Sequence, residues 1–282
     1  SGAVLASYNL NQTNTADDMD LVCGGQMKIL IEYVASHPEN IEMFGLMCEE
    51  IRVARPFFWV GKVEENGTFN RVERAVQTAD NRWVGSLAKE LELQAMLGGV
   101  NIQHDKTALL ENNAHQYVVA PIVPPDTVCI MGAGHVSREI ALLAKQVGFR
   151  AVVIDDRAEF ANRERFPGAD DVFVCKDFNS VFEEYSVSPG SYIIIVTRGH
   201  RFDKEVLAQA LRTEAAYIGM IGSRRKRESV YQTLRNEGFS QSELDQVYCP
   251  IGLSIDAETP AEIGVSVVAE LIQHRATRKK QS

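Results

Sequence analysis

Residues 127–156, TVCIMGAGHVSREIALLAKQVGFRAVVIDD, follow the order strand, glycine turn, helix, strand. The apolar run Val128, Cys129, Ile130, Met131 has the length of a buried parallel strand, and Gly132, Gly134 and Ser137 then fall at the spacing G-x-G-x-x-small. Gly132 permits a tight exit from the strand. Gly134 lets a phosphate approach the backbone with no Cβ in the way, and Ser137 keeps the helix close to the sheet. Ile140, Leu143, Ala144 and Val147 recur at helical spacing, and Gly148 stands where a helix C-cap glycine belongs. The second strand ends in Asp155, 23 positions after Gly132, near the offset at which an acid accepts from a ribose diol. The turn, the helix N-terminus and this acid together predict a nucleotide or another phosphate-bearing ligand.

Downstream, strands and helices keep alternating. Strands are predicted at 171–175, 191–196 and 216–221, with helices at 179–185, 203–213 and 223–237. Alternation of this kind implies a parallel sheet with right-handed crossovers, most simply in the order 3-2-1-4-5. Upstream the texture differs: a strand at 27–34, a helix at 38–55, a β-hairpin over 56–76 turning at Glu65-Asn66-Gly67, a helix at 85–97 and strands flanking Asn112-Asn113. The fold class is therefore α/β, a C-terminal Rossmann-like doubly wound parallel sheet with a smaller N-terminal mixed α+β domain. Residues 118–126, VVAPIVPPD, carry three prolines and form the expected linker between an N-terminal domain over 1–117 and a C-terminal domain over 127–282.

A chain of 282 residues with 45% hydrophobic composition is long enough for two such domains. Its formal charge of −9 argues against a general nucleic-acid binder, which needs a basic face. No apolar run reaches the roughly 18 residues of a membrane span. The first residues lack the pattern of an export signal. Cysteines 23, 48, 129, 175 and 249 form no C-x-x-C pair, as expected of reduced thiols in the cytoplasm, and Cys48, Cys129 and Cys175 are expected in the core.

In the expected sheet the loops after strands 1 and 4 are neighbours at the switch point, where ligands bind. The candidate ligand-binding residues are therefore Gly132, Gly134, His135, Val136 and Ser137 in the first loop, with Asp155, Asp156 and Arg157 after strand 2. Thr197, Arg198, Gly199 and His200 follow strand 4, and Gly222, Ser223 and Arg224 follow strand 5. Ser223 is a fitting N-cap. At least two of Arg225, Lys226 and Arg227 are expected on a solvated helix face. Thr259, Pro260 and Glu262 form a capping box that starts the last helix.

GAGHVSREIALLAKQVGFRAVVIDDR, RFPGAD, VTRGH with Asp203, AYIGMIGSRRKR and PIGLSIDAETPAEIGVSVVAELI together resemble the XdhC/CoxI family, the xanthine dehydrogenase accessory proteins. The likeness covers 118 to about 274, and LVCGGQMKILIE resembles the end of the family's N-terminal domain. Family members carry an earlier glycine- and serine-rich segment with a cysteine, so the N-terminal domain is expected to be truncated at its start or divergent. The resemblance implies a factor that binds molybdenum cofactor and passes it to a molybdenum hydroxylase such as xanthine dehydrogenase, after a cysteine desulfurase has supplied sulfur. It also implies a homodimer. Cys23, ahead of two glycines, is then a candidate for handling molybdenum or sulfur as a thiolate. The alternative is an NAD(P)-dependent oxidoreductase with His200 as proton donor.

Overall fold

A computed structural model describes residues 3–9, 26–63, 68–69, 73–98, 106–111 and 115–281. Two compact units divide the chain, Ser1–Pro124 and Pro125–Ser282. In the first, strands β1 (Ala3–Asn9) and β2 (Gln26–Glu32) precede helix α1 (Pro38–Arg52). Strands β3 (Phe57–Val63), β4 (Thr68–Phe69), β5 (Arg74–Thr78) and β6 (Trp83–Gly85) follow, then α2 (Leu91–Leu97), β7 (Ala108–Glu111) and β8 (Gln116–Ile122). They form a three-stranded sheet, β2-β1-β4, and a five-stranded sheet, β6-β5-β3-β8-β7. The expected hairpin is the antiparallel pair β3–β5, while its turn at 65–67 lies outside the described residues. A buried ion pair between Arg74 on β5 and Glu32 on β2 ties the two sheets together.

The proline-rich stretch is not a linker over its whole length. Val118–Ile122 belong to β8, which pairs with β3 as far as Ile122. Pro121 is tolerated because β7 pairs with β8 only as far as Val119, so the missing N–H falls where one side of the strand is unpaired. The boundary between the units falls instead between Pro124 and Pro125.

The second unit runs β9 (Thr127–Met131), α3 (His135–Gln146), β10 (Arg150–Asp155), β11 (Asp171–Val174), α4 (Val181–Glu184), β12 (Ser191–Ile195) and α5 (His200–Ala210). After these come β13 (Tyr217–Met220), α6 (Arg224–Asn236), α7 (Gln241–Leu244), β14 (Val247–Tyr248) and α8 (Pro260–Gln281). The sheet order is β11-β10-β9-β12-β13-β14, parallel throughout, which is the expected 3-2-1-4-5 with β14 added at the edge. The apolar strands are continuous because both faces are covered. Cys129, Met131, Val152, Ile154, Ile193 and Ile195 pack with Val206 and Leu207 of α5 and Leu234 of α6. Their neighbours Val128, Ile130, Ala151, Val153 and Ile194 pack with Ile140 and Ala144 of α3 and Val267 and Leu271 of α8. Each fully buried aliphatic side chain contributes about 1.5–3 kcal/mol, so this core rigidly fixes the carboxyl ends of β9, β10 and β12.

Candidate ligand-binding site

Gly132 leaves β9 with φ +118°, and a Cβ there would stand 2.5 Å from the Val196 carbonyl oxygen. The exit of β12 crosses too closely for any other residue. Gly134 differs, because its φ is −84° and nothing lies within 4 Å of where a Cβ would point. The fold does not require glycine there; its absent side chain leaves open space at the start of α3. Ser137 is buried and its Oγ accepts from the Gly134 N–H at 3.2 Å, which fixes the turn. The N–H groups of His135 and Val136, in the first turn, have no intrahelical acceptor and carry the positive end of the helix dipole. His135 is exposed, while the Val136 side chain packs against the core under α3.

Asp155 is occupied by the protein itself. Its Oδ2 accepts from the Ala133 N–H at 2.8 Å and from Arg157 Nη2 at 3.0 Å. Its Oδ1 accepts from the Arg157 N–H at 3.0 Å and from Arg157 Nε at 2.8 Å. A carboxylate offers about four lone-pair positions, and four donors fill them. Burial alone pushes this carboxyl up, but the Arg157 bonds and the Ala133 N–H outweigh it and hold it below its ordinary range. Asp155, expected to accept from a ribose diol, here spends its lone pairs on the protein and pins the glycine turn to the end of β10.

Asp156 is engaged too. Its Oδ2 accepts from Arg198 Nη2 at 2.7 Å, and since β10 and β12 flank β9, this ion pair passes over the end of the central strand. Burial, then the neighbouring Asp155, push its carboxyl up against the pull of Arg198. Below the rim, Thr197 donates from N and Oγ1 to Asp203 Oδ1 at 3.2 and 2.7 Å. Asp203, with no exposed surface, pairs through its other oxygen with Lys226. A Cβ on Gly222 would come within 2.7 Å of the Lys226 stem, so this glycine makes room for the inward lysine.

The expectation for the basic run is therefore corrected. Lys226 turns in to Asp203, and Arg227 donates to the Cys249 carbonyl at 3.1 Å, leaving Arg225 alone of the three exposed. Ser223 caps α6, accepting from the Lys226 N–H at 3.2 Å, and Arg224 is exposed. Gly199 takes φ +112° and His200 opens α5.

Cys129, Cys175 and Cys249 are buried, and burial raises their thiols to about 11, 12 and 11, so they stay protonated. Cys48, expected in the core, is exposed on α1. Cys23 lies outside the described residues. Among the described residues no cluster of three His, Cys, Asp or Glu is suited to a metal ion, and no helix is long and apolar enough to cross a membrane.

Motif reading did not anticipate a cavity of about 550 Å³ that begins at Gly134 and His135 and runs along α3 against the loop 164–169. Arg138 and Leu142 line it from the helix, Arg165 and Phe166 from the loop. The signal available was Arg138 one turn beyond Gly134 and the Pro167-Gly168 pair after strand β10.

The model of the XdhC Rossmann domain matches residues 128–271. The chain belongs to the XdhC family. Among curated relatives, this XdhC-family chain is 34% identical over 144 residues to the uncharacterized protein YqeB of Escherichia coli, covering 51% of this chain and 26% of that protein. It is 29% identical over 154 residues to a probable xanthine dehydrogenase component of Bacillus subtilis, covering 55% of this chain and 44% of the other. The chain thus spans less than half the length of either relative. A solved xanthine dehydrogenase structure from Bacillus halodurans is similar over 100% of this chain and 77% of the other, with a TM-score of 0.69 and 25% identity.

Proposed function

We propose that this XdhC-family chain is a maturation factor that binds molybdenum cofactor and delivers it to a xanthine dehydrogenase-type molybdenum hydroxylase. One observation carries the reading: the open space left by Gly134 at the start of α3, where a phosphate would meet free N–H groups beside His135, Arg138 and Arg165. A local cluster of cations on a chain of charge −9 favours an anionic guest. The residues present fit the phosphate end of the cofactor, which the turn and the two arginines would hold. The molybdenum supplies its redox chemistry in the recipient enzyme. Partners of this reading are the hydroxylase, a cysteine desulfurase and a second copy of the chain, in the cytoplasm. The NAD(P)-dependent oxidoreductase alternative has less support, because the Asp155 carboxylate is filled by Ala133 and Arg157 and Asp156 Oδ2 by Arg198, which leaves only the buried Asp156 Oδ1 to meet a ribose diol.

The test uses purified protein incubated with molybdenum cofactor released from a donor enzyme. Wild type slows loss of the cofactor and activates apo-xanthine dehydrogenase; Gly134→Leu folds but does neither. Equal behaviour of the two proteins, or no effect of wild type, would end the proposal.

A further inference from the structure

The cavity beside α3 has a lining of two kinds. At the glycine-turn end stand Gly134, His135 and, one turn on, Arg138, and Arg165 lines the cavity from the loop. The Arg165 guanidinium lies 4.9 Å from the Phe160 ring centroid, and Arg157 lies 3.9 Å from the same ring. Arg157 is held by Asp155, whereas Arg165 has no carboxylate partner among the described residues. Farther along, Leu142, a large side chain left 46% exposed, joins Phe166 and Pro167 in an apolar wall. His135 and Leu142 are about 10 Å apart along the helix at 1.5 Å per residue. That length accommodates a phosphate, a short spacer and a ring placed end to end. Glu164 also lines the cavity and has neither hydrogen bond nor ion pair among the described residues.

We propose that this cavity takes the ring-bearing half of a phosphate ester, and that Glu164 selects rings presenting two adjacent N–H donors, the 2-amino-4-oxopyrimidine edge of guanine- and pterin-type heterocycles. The inference rests on the phosphate-binding reading of the glycine turn. With the phosphate between His135, Arg138 and Arg165, the ring lies over Leu142 and Phe166. A carboxylate has acceptors only, and its two oxygens match a pair of parallel N–H donors. Adenine lacks that pair on the corresponding edge, so it leaves Glu164 without partners.

The experiment is calorimetric titration of the full chain with GMP, AMP, guanosine and inorganic phosphate. GMP binds about tenfold more tightly than AMP, the effect of one charge-assisted contact, and more tightly than guanosine or phosphate alone. Glu164→Gln brings GMP down to AMP, and Arg165→Gln weakens both nucleotides alike. Both side chains are on an exposed loop, so the variants keep the fold, which circular dichroism verifies. Equal affinity for GMP and AMP in wild type, a preference that survives Glu164→Gln, or no GMP binding overturns the inference. Nucleotide selectivity without cofactor transfer removes only the maturation reading. Gly134-dependent transfer without selectivity removes only this inference.

Discussion

Replacing Asp155 by asparagine separates a structural acid from a ligand-binding one. The wild-type carboxylate accepts four hydrogen bonds of 2.8–3.0 Å, one from Ala133 and three from Arg157. Asparagine keeps the shape but has one acceptor oxygen, and its NH2 must face either the Ala133 N–H or the guanidinium. Two bonds are lost and a donor confronts a donor. Bonds to charged groups contribute about 1.5–3 kcal/mol each, and the Arg157 side chain, 23% exposed, recovers part of the loss through water, so the expected destabilisation is about 3 kcal/mol. Acid dependence gives a second readout. The folded-state pKa of Asp155 lies below its ordinary 3.8, so its contribution is complete above that value. It is lost as the pH falls through the lower folded-state value, because the unfolded chain takes the proton first, and Asp155→Asn should lack that part of the slope. Urea unfolding followed by circular dichroism and by hydrogen exchange of β9 and β10 measures both. Tryptophan fluorescence does not, since Trp59 and Trp83 both lie in the other unit. Stability within about 1 kcal/mol of wild type, an unchanged acid slope and weakened nucleotide binding would refute the structural role and return Asp155 to the diol.

Three further outcomes follow from the same geometry. Gly132→Ala, forced to hold φ +118° with its Cβ 2.5 Å from a carbonyl oxygen, costs about 3 kcal/mol or prevents folding, whereas Gly134→Ala, in open space, changes thermal stability by under about 1 kcal/mol. Asp203→Asn leaves Lys226 facing an interior without its counter-charge and costs about 3–5 kcal/mol in denaturant titration, while Asp203→Leu with Lys226→Met removes the stranded charge but leaves the Thr197 donors without their acceptor and so recovers only part of it. Burial, then Arg278, hold His274 below its ordinary 6.5 against the pull of Asp126 and Glu270. The unfolded chain therefore takes the proton first, stability declines as the pH drops below 6.5, and His274→Phe should flatten that decline in a pH series of melting curves.

The features legible in the sequence are those written by backbone periodicity. Runs such as Tyr192–Ile195 name a strand buried on both faces, and Thr259 with Glu262 names a helix start. There the Thr259 N–H donates to Glu262 at 2.9 Å and Thr259 Oγ1 accepts from the Glu262 N–H at 3.2 Å. Two-residue β14 carries no period to detect, and VVAPI looked like a connector because the absence of a β7 partner beside Pro121 is a tertiary fact. In α6 the signal was present and unused: Lys226 and Arg227 share the face of Val230, Tyr231 and Leu234 at helical spacing, and the last three are buried.

Asp155 shows where reading by offset stops. An acid at the end of the second strand fits a diol acceptor or a brace for the turn equally well in sequence terms. What separates them is whether its lone pairs are already filled, and Arg157, two residues on, fills three of the four. An arginine so close to such an acid therefore competes with any ligand for it. The first-turn N–H groups of His135 and Val136 have no such competitor: Arg138 and Arg165, 27 residues apart in sequence, both line the cavity that begins there, and Arg165 has no carboxylate partner among the described residues. On the proposed reading, recognition at this rim falls to the side of α3 rather than to the acid after β10.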